Sequence, residues 1–136
     1  MTKLDKVSTL GERLELELHQ GASLLPVRHV VRTLVDGQPE GLPVDLTGYQ
    51  GRGQIRRTAL DADVVANFDI AFAPNRTDGW YQFSLTDEVT AAIPCGPKLT
   101  DPASLYEFDI ELEDPQGNVR CTFYGPVRVK AGATRP

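Results

Sequence analysis

Apolar and polar residues alternate along most of this chain, and a period of two marks strands that bury one face. Leu14, Leu16 and Leu18 alternate with Arg13, Glu15, Glu17 and His19, which predicts a half-buried strand. Gly21-Ala22-Ser23 ends that run. A second strand is expected over 27–35, with less distinct faces. Arg28 and Arg32 fall with Val30 and Leu34; Val27, His29, Val31, Thr33 and Val35 fall opposite. Residues 36–41 are rich in turn formers and read as a connection. Leu42-Pro43-Val44-Asp45-Leu46-Thr47-Gly48 then reads as a sheet edge and a turn, leading into a third strand over 49–57. Tyr49, Gly51, Gly53 and Ile55 fall on one side of it. Gln50, Arg52, Gln54 and Arg56 fall on the wet side, and Arg57 follows.

The remaining strands come at short spacing. Ala66, Phe68, Ile70 and Phe72 alternate with Asn67, Asp69 and Ala71. Asp78-Gly79 signals a turn, and Tyr81, Phe83 and Leu85 form the apolar side of the strand after it. Thr86 suits the N-cap of a short helix through Ile93, which Pro94 ends. The most regular strand sets Tyr106, Phe108, Ile110 and Leu112 against Glu107, Asp109, Glu111 and Glu113. Asp114-Pro115-Gln116-Gly117 turns the chain, Val119, Cys121 and Phe123 return inward, and Val127 and Val129 continue. With those four turn residues unpaired, Glu111 is expected opposite Arg120, and Ile110 opposite Cys121 in the core. Seven to eight short strands, one brief helix and no internal repeat predict an all-β domain. The expected form is a Greek-key (immunoglobulin-like) β-sandwich. The expected organisation is an N-terminal arm over 1–11, the sandwich over 12–130 and a flexible C-terminal tail over 131–136.

Composition narrows the function classes. The chain has 136 residues, suited to one domain, and 40% hydrophobic with 24% charged residues is an ordinary folded balance. A net charge of −5 argues against a nucleic-acid surface. No apolar run reaches the roughly 18 residues of a membrane span. Met1-Thr2-Lys3-Leu4-Asp5-Lys6 has no apolar core behind its lysines, so folding in a cytoplasm is expected. Cys95 and Cys121 fit free thiols in a reducing compartment, with a disulfide between them as the alternative.

Little in the chain points to catalysis. His19 reads as an outward strand residue, and His29 as partly buried and hydrogen-bonded. His19, His29, Cys95 and Cys121 lack metal-ligand spacing, and neither a phosphate-binding loop nor a nucleophile elbow occurs. No enzyme, cofactor or metal is expected. The acidic row Glu107, Asp109, Glu111, Glu113 reads as a solvent face, although carboxylates two apart on a strand stand about 6.5–7 Å from each other, a separation compatible with glycoside hydrolysis. Trp80 reads as core or sheet edge, with a sugar platform or protein anchor as the alternative. Gln50, Arg52, Gln54, Arg56 and Arg57 form the candidate interface, because arginine forks pair well with carboxylates at partly buried contacts.

Several runs together resemble a small β-sandwich module of tailed-phage structural proteins, best known as the N-terminal domain of baseplate upper proteins. They are Pro43-Val44-Asp45-Leu46-Thr47-Gly48 with Gln54-Ile55-Arg56, then Phe83-Ser84-Leu85-Thr86-Asp87-Glu88-Val89-Thr90. The hairpin from Tyr106 to Val119 and the close Gly125-Pro126-Val127-Arg128-Val129 complete the set. The likeness spans about residues 12–130, and 94–103 looks longer than the family's loop. It implies a virion structural part of the tail or baseplate, without catalytic residues. Its partners would be other virion proteins, in a homo-oligomer within the particle. It would be located in the virion after folding in the host cytoplasm. A carbohydrate-binding or adhesin-like module is the competing class, and a capsid cement protein is a variant of the first.

Overall fold

The computed structural model describes residues 10–35 and 38–133, and for 34, 35 and 38–40 it describes the backbone alone. Among these residues the chain forms eleven strands and one short α-helix. In chain order they are β1 (Glu12–Arg13), β2 (Leu16–His19), β3 (Leu24–Val30), β4 (Arg32–Val35), β5 (Gln38–Pro43) and β6 (Gln50–Arg56). After them come β7 (Ala66–Asn67), β8 (Asp69–Phe72), β9 (Trp80–Leu85), α1 (Asp87–Ala91), β10 (Leu105–Glu113) and β11 (Val119–Lys130). A large sheet runs β1-β11-β10-β6-β7, with β2 also on β11. A smaller sheet runs β3-β9-β8, and β4 pairs with β5 as a separate hairpin.

The all-β expectation holds, and the strands are more numerous than the expected seven to eight. Three expected strands are each divided, the second and third where the chain changes neighbours. The first splits into β1 and β2, both parallel to β11. Between them Leu14 passes over Gly125, and its N–H donates to the Tyr124 carbonyl at 2.9 Å. A Cβ on Gly125 would collide with the Leu14 carbonyl, so a residue without a side chain is required there. The second splits at the buried Val31, and β3 begins at Leu24, earlier than expected. The third splits at the buried Phe68, whose N–H donates to the Gly53 carbonyl as the chain crosses from the large sheet to the small one. Strand β5 occupies most of the connection expected over 36–41, whose Asp36-Gly37 lie outside the described residues. Conversely, the two pieces expected around Gly125 are one strand, β11. The expected arm and tail lie outside the described residues at 1–9 and 134–136. Helix α1 is capped by Thr86 as expected, with the Thr86 hydroxyl accepting from the Val89 N–H at 3.3 Å, and it ends at Ala91 rather than Ile93.

The last hairpin departs from the expected register twice. The Asp114 carboxylate accepts from the N–H groups of Gln116 and Asn118 at 2.9 and 2.8 Å, which draws Asn118 into the turn. Glu113 therefore faces Val119, and Glu111 faces Cys121 rather than Arg120. A bulge then separates Ile110 from Glu111, so that Ile110 lies opposite Phe123 and not Cys121. Cys121 is half-buried and free, while Thr122 and Phe123 are both buried.

The inner faces of both sheets share one core. Ile55, Phe108, Ile110, Leu112, Val127 and Val129 come from the large sheet, and Tyr81, Phe83 and Leu85 from the small one. Phe68 meets Phe83 edge-on with ring centres 5.7 Å apart, and Phe83 meets Phe123 at 5.8 Å. Each fully buried large side chain contributes roughly 1.5–3 kcal/mol. A polar chain crosses this apolar layer. The Tyr81 hydroxyl shares a 2.6 Å hydrogen bond with the Thr122 hydroxyl, which bonds the Ile110 carbonyl at 3.3 Å. His29 Nδ1 lies 3.1 Å from the same Tyr81 oxygen, and its ring stands edge-on to Phe123. Burial pushes Tyr81 up to about 12, outweighing its bond to Thr122. Burial also holds the His29 imidazole below its ordinary 6.5, with Glu12 pulling it up and Arg120 pushing it down.

Two predictions test this frame. Gly125→Ala should lower the free energy of unfolding by about 1–3 kcal/mol, through overpacking against Leu14. Urea melts read this directly, and a loss within about 0.5 kcal/mol of zero would show that β1 and β2 do not need the close approach. The second concerns pH. A lowered His29 value means that the unfolded chain binds the extra proton first. This contribution is complete above 6.5 and is lost as pH falls from there through the folded-state value. Melts between pH 8 and 5 should show falling stability on the acid side, with a shallower fall in His29→Gln. Identical slopes in the two proteins would remove His29 from the account.

Candidate functional site

Strands β6 and β10 lie side by side and antiparallel, and their wet faces coincide. The register sets Arg56 opposite Glu107, Gln54 opposite Asp109, Arg52 opposite Glu111 and Gln50 opposite Glu113. The basic row and the acidic row are therefore one charged ladder. Arg52 Nε donates to Glu111 Oε1 at 3.2 Å, and its Nη1 lies 3.9 Å from Glu113 Oε1. On the opposite side of β6, Gly51 and Gly53 let the core approach the backbone. A Cβ on Gly53 would stand 2.5 Å from Ile110 Cδ1.

Arg56 holds the loop that follows its strand. Its Nη1 donates to the carbonyls of Asp61 and Ala62, both at 2.7 Å, and its Nη2 donates to Gln54 Oε1 at 2.9 Å. Glu107 supports the same loop by accepting from the Ala59 N–H at 2.6 Å. The loop thereby presents Leu60, 97% exposed, at the rim of the ladder. Arg57, the fifth candidate, leaves this face. It donates to the Ala103 carbonyl at 2.6 Å, and its guanidinium carbon sits 4.1 Å over the Tyr106 ring.

The register also aligns a row across five strands: Arg13, Tyr124, Asp109, Gln54 and Asn67. This row crosses an open trough of about 650 Å³ in the outer face of the large sheet. Asp109 lies at its middle. Partial burial pushes its carboxyl up, Glu111 adds to the shift, and Arg56 and Arg52 oppose it. Among the described residues the Asp109 carboxylate forms no ion pair.

The other residues singled out in the sequence are scattered. His19 is exposed at the end of β2, across from Lys130. His29 is partly buried and hydrogen-bonded, as expected, and belongs to the inter-sheet chain. Cys95 and Cys121 are both free. Among the described residues no three His, Cys, Asp or Glu side chains form a metal-holding group. Trp80 is neither core nor edge: it lies on the outer face of the central strand of the small sheet, with Arg28 stacked 3.6 Å above its ring. Sequence reasoning missed Arg13, Tyr124 and the loop residues Ala59 and Asp61 as parts of one surface. Only the cross-strand register joins them. Among the described residues no helix is long and apolar enough to cross a membrane.

No protein-family model matches the chain, and no similarity to a curated protein reaches significance.

Proposed function

We propose that this chain is a structural module of a tailed-phage virion, in the tail or baseplate, that acts by docking to other virion proteins and not by catalysis. The proposal includes a Greek-key, immunoglobulin-like class for the fold and a homo-oligomer within the particle. It assigns no cofactor and no nucleic-acid or membrane ligand. The observation that supports it most is the ladder of Gln50, Arg52, Gln54 and Arg56 against Glu107, Asp109, Glu111 and Glu113. Fixed rows of opposite charge on an open sheet face suit protein docking, where complementary potential sets register and partner choice. The resemblance over 12–130 points the same way. A capsid cement protein would use the same chemistry at another place in the particle. A carbohydrate-binding or adhesin-like reading draws on the outward Trp80, but Arg28 covers one face of that ring, which reduces the platform left for a sugar.

Changing Arg52 and Arg56 together to glutamate tests the proposal. The exposed Arg52–Glu111 pair contributes about 0–1 kcal/mol, so the domain should remain folded by circular dichroism. Like charges brought together at a docked face oppose association by several kcal/mol. Particles assembled with the folded variant should lack it or stop at an incomplete tail. Incorporation at the normal stoichiometry would remove the ladder from the docking surface.

A further inference from the structure

The geometry points to a specific occupant for the trough on the large sheet: an arginine side chain of a partner protein, seated on Asp109 and against the ring of Tyr124. This deepens the docking proposal and rests on it for its biological setting, while its chemistry can be tested alone.

The three carboxylates of β10 that line the trough are not equivalent. Glu111 is already engaged by Arg52, and Glu107 accepts from the Ala59 N–H. Asp109 has neither kind of partner among the described residues. The nearby cations are committed elsewhere. Arg56 spends its donors on the Asp61 and Ala62 carbonyls and on Gln54, and Arg13 pairs with Glu15 at 3.0 Å. Asp109 is therefore an exposed carboxylate on the trough with no direct partner among the described residues, and Arg56 and Arg52 act on it only at a distance. Partial burial and the neighbouring Glu111 push its protonation point up, and a guanidinium set against it would pull it down again.

The neighbours of Asp109 select among cations. Tyr124 lies directly across on β11 and Gln54 directly across on β6. A planar guanidinium can donate two parallel bonds to the carboxylate and lie against an aromatic ring; an ammonium makes a point contact only. Gln54 lines the same trough, its amide already engaged by Asn67 and Arg56. Gly125 and Pro126 complete the β11 wall with apolar surface, suited to the aliphatic stem of the incoming residue. A protein as the source is favoured by Leu60, which stands 97% exposed on the loop whose Ala59 and Asp61 line the same trough. A large apolar side chain held out by a hydrogen-bonded loop gains from cover that a small cation cannot give.

The test uses isotope-labelled protein and three acetylated, amidated pentapeptides, Gly-Leu-Gly-X-Gly, with X as arginine, lysine or citrulline. Citrulline keeps the shape of arginine and removes the charge. The arginine peptide should give saturable NMR shifts concentrated at Asp109, Tyr124, Gln54 and Leu60. Lysine should bind more weakly, and citrulline about tenfold more weakly or worse. Asp109→Asn should abolish the response while keeping a dispersed, folded spectrum, since the replaced group forms no ion pair in the fold. Equal binding of citrulline, equal binding of lysine, or an undiminished response in Asp109→Asn would each overturn the assignment. Particle incorporation separates this inference from the docking proposal. If arginine fails to bind and the Arg52 and Arg56 reversal still blocks assembly, the occupant is wrong and the docking face stands. If arginine binds as described and the reversal is incorporated normally, the trough stands and the docking proposal falls.

Discussion

Thr122 decides which way the last strand faces. The bulge beside it adds one residue to β11, and everything from Phe123 to Lys130 depends on that addition. If the pairing of Glu111 with Cys121 simply continued, Phe123 would stand opposite Asp109 on the wet face and Tyr124 opposite Phe108 in the core. The inserted residue exchanges them. Phe123, Val127 and Val129 turn inward, and Tyr124 turns out beside Asp109. A one-residue slip moves every later side chain to the other face, so such a register has to be pinned. The pin is the hydroxyl of Thr122, bonded to Tyr81 of the opposing sheet and to the Ile110 carbonyl at the bulge itself. The interior carries a bonded hydroxyl at the point where the strand is irregular, and its two partners belong to the two sides of the bulge's surroundings, the opposing sheet and β10.

The two faces of the large sheet hold different kinds of energy. Inside, apolar burial at roughly 1.5–3 kcal/mol for each large side chain carries the fold. Outside, the ladder of arginines and carboxylates is worth little to stability, since exposed ion pairs give about 0–1 kcal/mol. What it provides is order. Arg56 and Glu107 are fixed by main-chain groups of the loop 57–64, and Arg52 by Glu111 and Glu113, so the charges stand in set places. Side chains fixed in advance lose less freedom when a partner meets them.

Much of this was legible in the alternation. The inward sets Leu16 and Leu18, Ala66 and Phe68, Tyr81, Phe83 and Leu85, and Tyr106 to Leu112 all follow from a period of two. Alternation is a local signal, and it is blind to a strand's neighbours. It could not show that Arg52 and Glu111, 59 residues apart, share one face. It merged β3 with β4 because both sides of Val31 look extended, although each pairs with a different strand. It also read β11 as undisturbed: threonine is common on either face of a strand, and nothing near Thr122 announces an extra residue. The trough went unseen for the same reason, since its lining comes from four strands and a loop that meet only through long-range pairing.

The parallel pairing of β1 and β2 with β11 has a consequence for the order of events during synthesis. Leu16 lies beside Val127 and Leu18 beside Val129, so the core residues of β2 wait for partners made far downstream in the chain. Contacts of that span form late and slowly, because a long loop must close before any of them is gained. The hairpin of β10 and β11 can assemble from neighbouring sequence, and it supplies the edge on which the early strands settle. Until then the leucines of β2 are uncovered on a nascent chain. The polar residues Glu15, Glu17 and His19 alternate with them there, and the two glutamates oppose pairing with the wrong edge.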